Sequence, residues 1–534
     1  MEATMTTLSS EKPSIWQRST TRRFLKRLFS WRAARRLVIS FAVIATLIGL
    51  FYAEEDWRGW HAWQKFKHEW EAKGERFDRA SVVPSPVPDD QNFALTPIVA
   101  SSYLHVLDKT GHALRPRNTN VVNRLKMDVA HNNNWPTNST GNWEKSTVTD
   151  LKVWQQYYRA LAAKTNEFPV ALEPQTPAAD VLLALSKNDP AIEQLRQASL
   201  LPYSRFPLEY DKDNPAAILL PHLNALRGCA RVLQLRAIAE LQNGQSDKAL
   251  DDVKLMLRLT DSVRAEPFLI SHLVRIAILD ITMQPVWEGL AEHKWSDTQL
   301  VELDRELAKF DFLADYRLSM RGELVLLQGG IIDWLRRLPE ELFNISGDMS
   351  SGADPSLRIL CRLIPSGWFY QNQLRCARPM VEAYLPVADV NRGIISPAAT
   401  RRADAAIEAN TNHATPYNII ERMLLPALGA VTKKFAYGQE SVDLARVAIA
   451  LERYRLAHGE YPESLDALAP QFIAKLPHDI INGQPLHYRR TNDGQFVLYS
   501  VGWNETDDGG EVPPTKGGWL NLTKGDWVWQ YPQK

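Results

Sequence analysis

Three cysteines in 534 residues, Cys229, Cys361 and Cys376, are too few and too scattered for a disulfide scaffold. No C-x-x-C pair is present to hold zinc or to run thiol exchange. The odd count leaves at least one thiol free, and Cys361 and Cys376 can pair only if their segment lies outside the cytoplasm. Local catalytic signatures are missing as well. There is no G-x-x-x-x-G-K-S/T phosphate loop, no G-x-S-x-G elbow, no H-E-x-x-H zinc pair and no dinucleotide fingerprint. The twelve histidines are dispersed, and none stands in a helical pair with a nearby carboxylate. These absences leave open only a site assembled from distant residues. Net charge is absent too, because 62 basic and 62 acidic residues cancel, which gives no support for a nucleic-acid partner. With 45% hydrophobic and 23% charged residues, the composition excludes a disordered chain and a multi-span membrane protein. At about 150 residues per domain the length suggests two to four folding units.

The neutral total hides an asymmetry. Residues 1–36 hold nine Lys/Arg against two Glu, so the remainder is acidic by the same margin. Residues 37–53 carry no charge and as a helix span roughly 25 Å, at about 1.5 Å per residue. That length just crosses a hydrocarbon core of about 30 Å if Arg35 and Arg36 snorkel at one end, while Glu54, Glu55 and Asp56 mark the other. The positive-inside rule puts residues 1–36 in the cytoplasm and the bulk of the chain outside, as a single-pass signal anchor. Cleavage is disfavoured, since Phe51-Tyr52-Ala53 supplies only one of the two small residues a signal peptidase reads. Thr21-Arg22-Arg23-Phe24-Leu25-Lys26 lacks the spacer of a twin-arginine signal and reads as basic flank. Beyond the anchor, Trp57, Trp60, Trp63, Phe66 and Trp70 fall on one face of a juxtamembrane helix within residues 54–80, opposite Arg58, Lys65 and Glu69. That face is expected on the lipid headgroups or on another protein. The prolines of Val83-Pro84-Ser85-Pro86-Val87-Pro88 then predict a semi-rigid linker and a domain boundary at 81–91.

Residues 92–430 are expected to form a mainly helical extracytoplasmic domain. Its first part, with His131-Asn132-Asn133-Asn134 and the Asn138-Ser139-Thr140-Gly141 stretch, reads as loop, and the Asn138 sequon carries no assigned function. From about 150 to 340 the apolar spacing is helical, with breaks at 169–177, 202–221 and 267. Leu233, Ala237, Gly244, Ala249 and Val253, with the turn Asn243-Gly244-Gln245-Ser246, resemble one tetratricopeptide hairpin, without a second copy at a 34-residue period; an ordinary helix pair in an all-α domain is the favoured reading of the same residues. Residues 268–284 are apolar but carry His272, Arg275 and Asp280. Asp311, Asp315, Arg317, Arg321 and Glu323 are spaced for ion pairs within one helix. From 339 to 420 the pattern loosens, with a flexible loop expected at 346–352.

Residues 431–534 read as a small α+β unit. Leu444, Val447, Ala448, Leu451 and Tyr454 form a helical stripe ending at His458-Gly459. A short helix follows from Tyr461, and 485–490 and 496–500 predict two strands joined across Asp493-Gly494. The wording Leu451-Glu452-Arg453-Tyr454-Arg455, Gly459-Glu460-Tyr461-Pro462, Leu476-Pro477-His478-Asp479, Gly483-Gln484-Pro485-Leu486-His487-Tyr488 and Leu498-Tyr499-Ser500-Val501-Gly502 resembles the globular part of type II secretion major pseudopilins. The resemblance covers about the last hundred residues. It implies a helix packed on a small antiparallel sheet and a calcium loop, which here would use Asn504, Asp507 and Asp508 as oxygen donors. Asn504 stands where the family has an aspartate and the Gly509-Gly510 pair comes one residue late, so a plain solvated acidic turn is the competing expectation. The family's Gly-Phe cleavage site and helix glutamate are lacking around residues 37–53, so the resemblance does not extend to pilus assembly.

Together these features predict a mainly α chain with one transmembrane helix and a small α+β end, set in a bacterial inner membrane with its bulk periplasmic. Its expected role is that of a non-enzymatic scaffold that binds proteins of a secretion or envelope assembly. The alternative is an extracytoplasmic hydrolase with its site near His272, Asp280 or Arg321. A membrane-tethered sensor is the third class, signalling only through a partner.

Overall fold

The computed structural model describes residues 31–103, 105–107, 114–116, 124–131, 134–136, 139–342, 360–425, 428–512, 515–516 and 519–532. The basic segment 1–30, Asn138 of the sequon and the expected loop at 346–352 lie outside the described residues.

The apolar run 37–53 and the aromatic stretch after it are one element, α1 (Trp31–Ala72), about 63 Å long at 1.5 Å per residue. Its apolar first half is exposed all round, and it is a candidate membrane span by length and composition. Its second half enters the body. Trp57 and Trp60 stay 63% and 47% exposed, whereas Trp63 and Phe66 are buried and Trp70 packs against the same core. The five aromatics therefore do not share one environment: the helix emerges beside the body, which covers the lower three and leaves the upper two bare.

The other principal helices are α2 (Leu151–Ala162), α3 (Pro177–Leu185), α4 (Asp189–Ser199), α5 (Pro221–Gln242), α6 (Ser246–Asp261), α7 (Leu269–Ala291), α8 (Asp297–Leu307), α9 (Phe312–Gly322), α10 (Gly330–Arg337), α11 (Ser366–Pro379), α12 (Pro397–Thr411), α13 (Ile419–Leu424) and α14 (Leu428–His458). Two π-helical segments, Glu323–Gly329 and Met380–Tyr384, extend α9 and α11. Caps fall where short polar side chains precede apolar runs. Thr176, Ser296 and Asp311 accept backbone N–H groups at the starts of α3, α8 and α9, Ser296 within a full capping box with Gln299. The predicted hairpin is α5 and α6, packed side by side and turned at Gly244, whose φ of +73° favours glycine.

One hydrophobic cluster runs from Trp63 in α1 through Trp287 in α7, Tyr316 in α9 and Phe435 and Leu451 in α14 to the C-terminal strands. A second gathers α2 to α6 around Trp154, Tyr158, Leu226 and Met256. The axis of the larger cluster is α14, buried on most of its circumference, with α7, α8 and α9 on one side and the sheet on the other. The sheet is antiparallel in the order β5 (His487–Arg490), β6 (Phe496–Ser500), β9 (Trp527–Gln530), with Leu498 opposite both Tyr488 and Trp529. Every residue of the central strand β6 is buried. Three further short pairs, β1 (His105–Leu107) with β2 (Leu114–Pro116), β3 (Ala388–Asp389) with β4 (Ile394–Ile395) and β7 (Thr515–Lys516) with β8 (Trp519–Leu520), complete the strands among the described residues as two-stranded ribbons.

The proline-rich stretch at 81–91 lies against the body: Val82 joins the larger core, and the Arg205 Nε donates to the Pro84 carbonyl at 3.1 Å. Residues 431–534 share that core with the helices. The looser stretch 339–420 holds α11 and α12.

Candidate functional site

The junction of α1 with the body is built from short-range polar contacts at the point where the apolar run ends. Glu55 is buried at 5% exposure; its Oε1 accepts from Arg58 at 2.5 Å and from the Tyr417 hydroxyl at 3.1 Å, and its Oε2 accepts from the Trp368 indole N–H at 3.0 Å. Asp56 accepts the Gly367 backbone N–H at 2.7 Å, and the Tyr52 hydroxyl donates to the Leu363 carbonyl. Gly59 and Gly367 face one another where α1 crosses α11, so that a Cβ on either would overlap the opposing backbone. At the far end Arg321 of α9 grips Glu75 through two hydrogen bonds of 3.0 and 2.8 Å. The stalk is thus held at both ends of its buried half.

Beside Trp63 lies a cavity of about 230 Å³ between α1, the 323–329 π-helix, α10 and α11. Its apolar wall includes Trp63, Phe77 and Tyr370. Gln328, at 1% exposure, lines it with neither carboxamide atom hydrogen-bonded. The π-helix widens the turn between Gly322, pressed on the Pro267 carbonyl, and Gly329, and carries the Gln328 side chain into the space. Two guanidinium groups, Arg79 and Arg336, share the lining with one carboxylate, Asp333. Arg336 donates to Asp333 at 2.6 Å, while Arg79 has no ion pair among the described residues. Sequence reading passed over Gln328; a lone amide between Leu326-Leu327 and Gly329-Gly330 was its only signal.

The residues proposed for a hydrolase are dispersed. His272 is fully buried, bonded to the Glu266 carbonyl at 2.8 Å, and burial with Arg275 nearby lowers its pKa to about 3. Arg321 belongs to the stalk clamp. Asp280 of α7 keeps an exposed edge; desolvation of its carboxyl raises its pKa, and Trp143 donates an indole N–H to it at 2.9 Å. Glu144 stands nearby, pushed up to about 7 by burial and by Asp280, and it accepts the Tyr437 hydroxyl at 2.5 Å. The expected ion pairs within one helix are not the ones formed. Asp311 caps α9, Asp315 pairs with the buried Arg275 of α7, and burial alone pushes Glu323 up to about 7. The helix packs those faces against neighbours, so its charges find partners across the core.

In the acidic loop the Asn504 amide donates to Asp508 at 2.7 Å. Asp507 instead accepts from the Gly509 N–H at 2.9 Å and the Tyr499 hydroxyl at 3.1 Å. No group of three or more His, Cys, Asp or Glu among the described residues is placed to hold a metal ion. The neighbouring buried Asp526 takes the N–H groups of Asp508 and Gly510 at 3.2 and 2.7 Å, which ties the loop to β9. Cys229, Cys361 and Cys376 are all free and buried. No protein-family model, no curated protein and no solved structure matches the chain.

Proposed function

We propose that the chain is a single-pass membrane protein whose extracytoplasmic body binds other proteins as a scaffold, within a secretion or envelope assembly of a bacterial inner membrane, with a pseudopilin-like end. The observation that carries this reading is the stalk: α1 leaves its apolar stretch and passes without a break into the main core, clamped through Glu55, Asp56 and the Gly59–Gly367 crossing. A platform fixed to its membrane helix holds a binding surface at a set height and orientation, which a flexible tether cannot do. The contacts support one such height. Because Tyr52, next to last in the apolar run, bonds the Leu363 carbonyl, the exposed Leu360 and Leu363 lie level with the bilayer surface, as do the bare Trp57 and Trp60 about two turns farther on.

The dispersal of His272, Asp280 and Arg321 supports a binding role over a hydrolase. One observation favours the second reading: Glu144 and Asp280, two carboxyls with raised pKa values flanked by Tyr437 and Trp143, are the kind of acid pair that hydrolases use. Two measurements test the proposal. Protease added to intact spheroplasts digests the body, whereas full protection contradicts the topology. Crosslinking in intact cells followed by affinity capture retains the same envelope proteins reproducibly; recovery of the chain alone contradicts the scaffold role and moves effort to substrates for the Glu144–Asp280 pair.

A further inference from the structure

We infer that the cavity beside Trp63 binds a small organic anion bearing an amide group, of the size of an N-acylated amino acid. This goes beyond the scaffold reading and does not depend on it. A volume of about 230 Å³ corresponds to roughly eight waters at about 30 Å³ each, too small for a peptide segment and ample for one such molecule. Gln328 supplies the recognition. A buried carboxamide with its N–H2 and its C=O both unpartnered is costly to keep, and a ligand amide relieves it, its C=O accepting from that N–H2 or its N–H donating to that C=O. Charge supplies the rest. Of the charged groups in the lining, Arg336 and Asp333 satisfy each other, which leaves the Arg79 guanidinium as one uncompensated positive charge, the geometry that takes a carboxylate. Arg79 and Asp333 lie toward solvent and Gln328 is buried, so the ligand enters amide first and its carboxylate stays near the opening. Trp63 and Tyr370 give its apolar part a wall. The π-helix that positions Gln328 is an arrangement found often at functional sites.

The site joins the stalk helix to α10 and α11, so a bound ligand would brace the very contact that fixes the body on its membrane helix. The test is calorimetry on the full chain in detergent, titrated with N-acetyl-L-alanine and, separately, with its methyl ester. Saturable binding of the acid is expected, weakened at least tenfold by esterification, by Gln328→Leu and by Arg79→Met. Gln328→Leu removes an unsatisfied buried amide, so its melting temperature is expected at or above that of the parent chain, and loss of binding is then not loss of fold. No saturable heat with the parent chain, or binding that survives either substitution, overturns the inference.

Discussion

At the residue scale the interior of this protein holds many ionisable groups, among them Glu240, Asp252, Arg275, Glu440 and Glu452, and their partners decide what each does. Glu452 is the satisfied extreme. It accepts two hydrogen bonds from Arg455, one from His293 and one from Tyr461, which hold its carboxyl below the usual range. Glu323 is the opposite, raised to about 7 by burial alone. Its sign is set by linkage: the unfolded chain releases this proton near 4.5 and the folded chain near 7, so stability falls as pH rises between those values. Glu144 and Asp443, each raised to about 7, act in the same direction. Glu323→Gln is therefore expected to gain on the parent chain by up to about 1.4 kcal/mol per pH unit across that window. Denaturant melts at pH 5 and pH 7.5 check it, and parallel losses in both chains would contradict it. None of this was legible in the sequence, which places Glu452 and Tyr461 in motifs but does not show that the two motifs meet. The hydrogen bond between them is made by the turn at Gly459. Asp479 behaves alike: it accepts the N–H groups of Ile481 and Val501 at 2.8 and 2.9 Å and so fixes the exit of β6.

At the element scale the sequence was read best where periodicity is strong and local. The helix ending at His458, the left-handed Gly459, the α5–α6 turn at Gly244 and the hairpin at Gly494 all lie where apolar spacing and glycine placed them. Strand β9 escaped notice because 26 residues of sequence separate it from β6, and pairing at that distance has no local signature. The two π-helical segments escaped for a related reason: they continue α9 and α11 directly after Gly322 and Pro379, and the apolar spacing does not separate them from the α-helices before them. The Gly59–Gly367 crossing is the element-scale feature with the sharpest consequence. Gly59→Ala inserts a methyl against the Gly367 carbonyl and is expected to destabilise the stalk contact by about 1–3 kcal/mol. Limited proteolysis of the variant should then cut near residues 74–81 faster than in the parent chain; an unchanged rate would contradict the tight crossing.

At the scale of the whole molecule the organising fact is that the second half of α1, the helical body and the C-terminal sheet share one core, with α14 as its axis. Sequence reading divided the chain at the prolines of 81–91 and near residue 430, because composition and motif change there. Packing runs across both points: Val82 is in the core, and α14 contacts α7 through α9 as well as β6 and β9. If α1 spans a membrane as proposed, a body packed on it in this way takes one fixed pose on the bilayer, a consequence that depends on neither partner nor ligand. The most direct test places a photoreactive benzophenone side chain at residue 363, with residue 57 as the membrane-side reference and residue 505, exposed in the C-terminal loop, as the distant one. Irradiation of native membranes is predicted to give lipid adducts at 363 as readily as at 57 and none at 505; adducts at 57 without any at 363 would contradict the fixed pose, and adducts at neither would contradict the membrane helix itself.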